Sequence, residues 1–317
     1  MRRVLVTGAS GCVGRPTVAF LAARGWDVHA LTSRATPPEL PGVALEHAAG
    51  AVRWHQVDLL QPGAAAAIVR EVQPTHLLHL AWYIAPGRWA AAPNNFQWVQ
   101  ASLDLCHAFV EQGGQRFVGA GSCLEYDWSA GFCSEARTPF APHTFYGACK
   151  HALERLIDGY SRSRDFSFAW SRIFFLYGPW EHPDRLLASV IRSVLAGVEA
   201  RCSHGEQIRD YLFVDDVARA FVELVEGDAR GAYNVASGQP VRLKELALRA
   251  GELAGRPDLV RLGVIPAAAT DVPLVLADMT RTFGALAWRP QVSVDEGLAR
   301  TIAWWREHRT PGALVSA

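Results

Sequence analysis

The chain has 317 residues with 31 basic and 31 acidic side chains; half of the composition is hydrophobic and a fifth is charged. That balance suits a globular protein of one large domain or two lobes, and it lacks the basic field that nucleic acid or an anionic membrane surface would need. No apolar run approaches the ~20 residues of a bilayer span, and Arg2-Arg3 leads into a strand rather than a signal peptide, so a cytoplasmic protein with a small-molecule partner is expected.

Arg3 to Val6 is a short apolar run rich in β-branched residues, which predicts a buried strand. Gly8, Gly11 and Gly14 then lead into an amphipathic helix reaching about Arg24. The spacing Gly-x-x-Gly-x-x-Gly is one residue longer at the first gap than the usual dinucleotide fingerprint. Gly8 permits the tight turn, Gly11 lets backbone N–H groups approach a pyrophosphate, and Gly14 allows helix and strand to pack closely. The helix N-terminus adds unpaired donors and a positive dipole end, so an anion can settle there without a basic side chain. Ser10, Cys12 and Val13 complete the expected cofactor loop.

Strands follow at Asp27–Thr32, Val52–Val57, His76–Leu80, Arg116–Ala120 and Phe166–Arg172, with helices at about Gly63–Val72, Asn94–Glu111 and Phe145–Tyr160 between them. This alternation predicts an α/β fold, a Rossmann-type doubly wound parallel sheet covered on both faces. Beyond Gly178-Pro179 the rhythm changes. Leu186–Leu195 reads as helix, Ala200–Val214 as extended, Asp215–Glu226 as helix, Ala232–Val235 as a short strand, Leu243–Ala254 as helix, Pro257–Pro273 as irregular, and Val294–Trp305 as a final helix. Residues 1–178 form the expected dinucleotide-binding domain, with 210–236 returning to it. Residues 179–317 form a smaller, interleaved α/β substrate lobe, with the ligand crevice between the two.

Three side chains carry candidate chemistry. Tyr146 and Lys150 stand one helical turn apart on one face. A neighbouring ammonium favours phenolate, which suits Tyr146 to acid–base work at a carbonyl or hydroxyl oxygen. Ser122 follows the fifth strand, where its hydroxyl can bond a substrate oxygen or simply cap the turn. At the end of the second strand Thr32-Ser33-Arg34 offers no carboxylate to repel a 2′-phosphate, and Arg34 can pair with one or equally stack on adenine. NADP(H) is therefore favoured, with NAD(H) the alternative. Trp82 and Tyr83, after the fourth strand, are placed to reach a sugar or base. The six cysteines show no Cys-x-x-Cys pair and the histidines no metal spacing, so no metal is expected and the cysteines read as space-fillers.

Taken together, the three glycines, Ser122, Tyr146/Lys150, the Arg172 to Pro179 segment and Gly205 to Val217 resemble, in order and across the whole chain, an extended short-chain dehydrogenase/reductase of the NAD-dependent epimerase/dehydratase type, which modifies nucleotide sugars. The resemblance implies Tyr146 as acid/base, Lys150 on the nicotinamide ribose and Ser122 on the reacting oxygen. It also implies adenine contacts from Asp58 and Leu59, a cofactor channel lined by Ala81, diphosphate contacts from Arg209, and a homodimer through the helices at Asn94–Glu111 and Phe145–Tyr160. An Arg209 paired with Asp210 or Asp215 is the competing possibility. Cys123 and Leu124 stand where dehydratases carry Asp-Glu, which disfavours dehydration, and Phe175 replaces an asparagine that touches the diphosphate in relatives. Glu125 either faces the substrate or caps the loop. The Ala200 to Asp210 stretch is similar to that of CDP-hexose reductases. The leading expectation is thus an NADP(H)-dependent reductase of a keto group, at C4, on a nucleotide-activated deoxysugar. A nucleotide-sugar 4-epimerase with tightly held NAD is the runner-up, and a non-catalytic NADP-binding sensor a minor third.

Overall fold

A computed structural model describes residues 2–40, 51–267 and 271–308. The first half of the chain alternates as its apolar pattern requires: β1 (Arg3–Thr7), α1 (Gly14–Ala23), β2 (Asp27–Thr32), β3 (Val52–Gln56), α2 (Ala64–Val72), β4 (His76–His79), α3 (Asn95–Glu111), β5 (Arg116–Ser122), β6 (Phe132–Cys133), α4 (Phe145–Arg164) and β7 (Ser167–Ile173). The second half continues with β8 (Phe175–Tyr177), α5 (Leu186–Leu195), β9 (Ala200–Arg201), β10 (Ile208–Phe213), α6 (Val214–Glu226), β11 (Gly231–Val235), β12 (Pro240–Arg242), α7 (Leu243–Ala254), β13 (Val260–Arg261), β14 (Leu274–Ala277), α8 (Thr280–Ala285) and α9 (Val294–Glu307). Within the segment expected to be irregular, β13 pairs with β9, while residues 268–270 lie outside those described.

Seven parallel strands form the main sheet in the order β11-β7-β5-β4-β1-β2-β3. The order reverses between β1 and β4, which makes a crevice at the carboxyl ends of those strands. Period-two alternation explains how the sheet is covered. Val4 and Val6 face the cluster containing Leu21 of α1 and Phe221 of α6. Leu5 faces the opposite cluster, with Val69 of α2, Phe109 of α3 and Leu153 of α4. A second, mixed sheet runs β12-β10-β14-β6, with β8 on β10. A third core of α5, α7 and α9 side chains covers it.

The chain crosses between the sheets more often than expected. β6, inside the first 178 residues, belongs to the second sheet, as do residues 210–213 of β10. The return to the main sheet therefore starts at α6, not at residue 210. Asn234 of β11 ties the two together. Wholly buried, its side chain donates to the carbonyls of Cys133 (3.0 Å) and Asp278 (3.1 Å) and accepts from the Tyr126 hydroxyl (2.8 Å).

Candidate functional site

The glycine loop is built as its sequence demands. Gly8 has φ +65°, and a Cβ there would lie 2.7 Å from the Ala81 nitrogen. The Thr7 hydroxyl accepts from the Leu80 and Ala81 N–H groups at 3.2 and 3.1 Å, so the ends of β1 and β4 meet at the switch point. A Cβ on Gly14 would stand 2.2 Å from the Gly8 oxygen, while Gly11 is exposed and its nitrogen bonds the Gly8 carbonyl at 3.0 Å. α1 starts without a side-chain cap and with no acid in its first turn, so its positive end is open to an anion, although the Arg15 N–H bonds the Gly11 carbonyl at 3.1 Å and Pro16 has no N–H to offer. The cradle fits a dinucleotide pyrophosphate. Val13 packs against the third core, joining the loop to the other lobe. Burial pushes the Cys12 thiol up to about 11, and the other five cysteines are also raised and free, which suits space-fillers.

At the rim of β2, Arg34 is exposed and its N–H donates to the Thr32 hydroxyl at 3.1 Å. Arg15 lies beside it, held by the Ser10 and Glu39 carbonyls at 3.1 and 3.0 Å. Burial and then the Arg34 charge lower the Arg15 pKa, with Glu39 opposing. Two guanidinium groups therefore mark this rim, of which Arg15 was not anticipated. Asp58, exposed past the end of β3, accepts from the Leu60 N–H at 3.0 Å, with Leu59 buried beside it.

Ser122, Tyr146 and Lys150 come together because two elements approach unusually closely. A Cβ on Gly147 would lie 2.2 Å from the Leu124 carbonyl oxygen, so only glycine lets α4 rest against the turn that follows β5. Thr144 caps α4 by accepting from the Gly147 N–H at 3.0 Å. Ser122 does cap the turn, accepting from the Leu124 N–H at 3.2 Å, and its hydroxyl also bears on the Tyr146 phenol as a neighbour favouring ionisation. The expected drop in the Tyr146 pKa is absent, because burial, followed by the Glu125 carboxylate, raises it. Lys150 is itself pushed down to about 7 by burial, against the pull of Glu125. Its ammonium donates to the Ala120 carbonyl at 2.8 Å.

Two expectations need correction, and one open choice is decided. Glu125 caps the loop rather than facing a ligand: it is wholly buried and accepts from the Ser122 N–H (2.8 Å), Trp170 Nε1 (3.0 Å) and Arg172 Nε (2.7 Å). Gly121 makes room for this group, since a Cβ there would stand 2.1 Å from Trp170 Nε1. Trp82 does not present a free ring, because its face lies 3.8 Å from Lys150 Nζ and its nitrogen donates to Asn95 Oδ1 at 2.7 Å. Tyr83, next to it, stays half-buried. Arg209 is paired, but with Asp271 rather than Asp210 or Asp215, and it is buried beside the Trp128 and Phe175 rings. The Phe175 ring is thus a surface for a guanidinium.

Arg185 was not singled out from the sequence. It precedes α5, lies 5.8 Å from the Trp89 ring centroid, and its charge acts on Tyr146, Cys12, Glu181 and Tyr211. Trp89 in turn packs edge-on against Tyr146 at 5.0 Å. Arg185 is therefore a cation at the mouth of the crevice between the glycine loop and the second sheet. Its only cue was a basic residue ahead of a helix. Among the described residues no cluster could hold a metal, and no helix is long and apolar enough to cross a membrane.

Comparisons with known proteins agree with this geometry. A UDP-glucose 4-epimerase of Mycolicibacterium smegmatis is 28% identical over 96% of this chain and 98% of its own. The solved UDP-glucose 4-epimerase of Thermus thermophilus in complex with NAD superposes with TM-score 0.81 at 26% identity, covering 98% of this chain and all of that one. The structure of MoeE5 in complex with UDP-glucuronic acid and NAD gives TM-score 0.82 at 30% identity, over 96% of this chain and 99% of the other. Residues 4–236 match the sequence pattern of one family, and the cradle, the Ser122/Tyr146/Lys150 group and the sheet order fall inside it. The chain belongs to the NAD dependent epimerase/dehydratase family and is an enzyme of that family, acting on sugar nucleotides.

Proposed function

We propose that this chain is a nucleotide-sugar 4-epimerase that retains its dinucleotide through the cycle. The observation that carries the reading is the approach of Ser122 and Tyr146 across the Gly147 contact, within a family whose similar members here are named as UDP-glucose and UDP-glucuronate 4-epimerases. These names favour epimerisation over the ketoreductase expected from the sequence.

Gly8, Gly11, Gly14 and the α1 N-terminus would hold the pyrophosphate, and Lys150 the nicotinamide ribose. When bound, NAD would supply a reversible hydride acceptor. Tyr146 removes the proton from the sugar hydroxyl and returns it at the same atom, while Ser122 donates to the developing oxygen charge. The raised Tyr146 pKa keeps the phenol protonated in the free chain, so its proton has to leave before it can serve as base. Arg185, beside the Trp89 ring, is the guanidinium placed to meet a diphosphate, and Arg209 could join it only by leaving Asp271.

The Arg15/Arg34 pair supports a second reading, an NADP(H)-dependent 4-ketoreductase, because two guanidinium groups at the β2 rim suit a 2′-phosphate. Incubation with UDP-glucose, UDP-galactose and UDP-glucuronate without added nicotinamide, beside a 4-keto nucleotide sugar with NADPH, tests the choice. Interconversion of 4-epimers with copurified NAD supports the epimerase. NADPH consumed one-for-one with a 4-keto nucleotide sugar supports the reductase, and neither activity with any of these overturns both. A homodimer is inferred from α3 and α4, where Phe96 and Leu156 stand 70% and 54% exposed on a shared helical layer.

A further inference from the structure

We propose that Trp82 is the positioning residue for Lys150: its indole face, clamped at the nitrogen by Asn95, holds the ammonium against the Ala120 carbonyl on the Tyr146 side of the site. The inference deepens the reading above and rests on it only for what Lys150 serves.

An ammonium has three protons to satisfy, and Lys150 is almost entirely buried. One proton goes to Ala120 O at 2.8 Å. The aromatic face of Trp82, with its centroid 3.8 Å from Nζ, is a second partner, attractive through the ring quadrupole. The rings of Tyr146 and Trp170 stand farther off, at 5.9 and 5.8 Å. The indole is built in place. Its nitrogen donates to Asn95 Oδ1 at 2.7 Å, and the Asn95 amide donates to the carbonyls of Trp89 and Ala92, both at 2.9 Å. Asn95 is wholly buried, and Trp98 stacks on the same indole with ring centroids 6.1 Å apart.

Residue choice points the same way. Lys150 and Lys244 are the only lysines in a chain otherwise furnished with arginine. At Lys150 the chain keeps the one cation that can release its proton near neutrality. The charged and titratable groups facing it are Glu125 from the turn after β5, His79 from β4 and Tyr146 from its own helix. His79 is held neutral, pushed down to about 3 by burial and then by Lys150. With the amine near its midpoint at pH 7, losing the aromatic face would change its charge where the enzyme works.

Two lysines make the test direct. Protein grown with 13C-lysine gives two side-chain signals, assigned with Lys244→Arg and followed from pH 5 to 10 in wild type, Trp82→Leu and Trp82→Phe. Circular dichroism and urea melts check that each variant folds. In wild type the Lys150 ε protons are expected upfield from the ring current, with a midpoint near neutrality. Trp82→Leu, which keeps the site dry, should lower the midpoint by about 0.5–1 unit, and Trp82→Phe should restore most of it. NADH, used as the probe, should bind Trp82→Leu several-fold more weakly at pH 7.5, with the gap closing at pH 6. A midpoint equal in all three proteins overturns the proposal. If the midpoint follows residue 82 but no protein binds NADH, the positioning stands and the dinucleotide reading falls.

Discussion

Glu125 and Arg172 form a buried ion pair, Nε to Oε2 at 2.7 Å, and the other oxygen of that carboxylate holds the Ser122 N–H. Glu154 adds a second carboxylate 3.7 Å from the same guanidinium, whose pKa burial lowers and Glu125 and its neighbours raise further. The turn that carries Ser122 is thus fixed by charge rather than by apolar packing alone. Arg172→Met leaves Glu125 buried without its partner and should cost about 3–5 kcal/mol. Urea unfolding at pH 7 measures it, and a loss below 1 kcal/mol would mean that the pair is not supporting the turn.

Gly147→Ala pushes a methyl toward the Leu124 oxygen, 2.2 Å away in the unaltered backbone. Overpacking of this kind costs about 1–3 kcal/mol. It should also separate Tyr146 from Ser122, so epimerisation should fall by more than stability alone explains. Activity measured well below the melting temperature, beside a thermal melt, distinguishes the two effects.

Tyr146→Phe keeps the ring and its contacts with Trp82 and Trp89 but removes the hydroxyl. Turnover should fall about 10²–10⁴-fold while dinucleotide affinity stays within a few-fold. Retained turnover would remove Tyr146 from the chemistry.

Glu181 is raised to about 8 by burial, with Arg185 opposing, and its Oε2 has no hydrogen-bond partner among the described residues. An acid whose folded pKa stands above its unfolded value of about 4.5 loses native stability as pH climbs from about 4.5 to about 8. Glu181→Gln should therefore be more stable than wild type at pH 8.5, on the order of 1–2 kcal/mol, and equal to it near pH 4.5. Denaturant melts at the two pH values check this; a pH-independent difference contradicts it.

The proposed dimer is tested at Leu156, whose exposed side chain on α4 gains no obvious benefit in a monomer. Leu156→Asp should convert a species of twice the chain mass into one of single mass by light scattering, with its fold intact. A wild type that is monomeric at tens of micromolar rejects the interface.

Local pattern made much of this structure legible. Val4, Leu5 and Val6 alternate between two cores, and Gly8 and Gly14 sit where a side chain would collide with backbone. The Tyr146/Lys150 spacing and the Ser122 position also met as expected, because each lies at the end of an element whose direction the sheet dictates. What escaped depends on partners far apart in sequence. Arg209 finds Asp271 across the second sheet, Glu125 finds Arg172 on a neighbouring strand, and Trp82 finds Lys150 on a helix packed over the same face of the sheet. The ionisation of Tyr146 was misjudged for the same reason: spacing reveals the nearby amine, but not how dry the place is.

Asn234, with hydrogen bonds reaching Cys133, Asp278 and Tyr126, has a consequence for anyone who would cut this protein into pieces. A truncation after Gly178 would strip β6 of its neighbour β14 and β7 of its edge partner β11, and would leave the Tyr126 hydroxyl facing nothing. The enzyme therefore offers no severable nucleotide module: swapping substrate preference by grafting a foreign carboxyl-terminal half would demand that the graft bring its own equivalent of this amide, while single replacements along the crevice wall would leave the weave untouched.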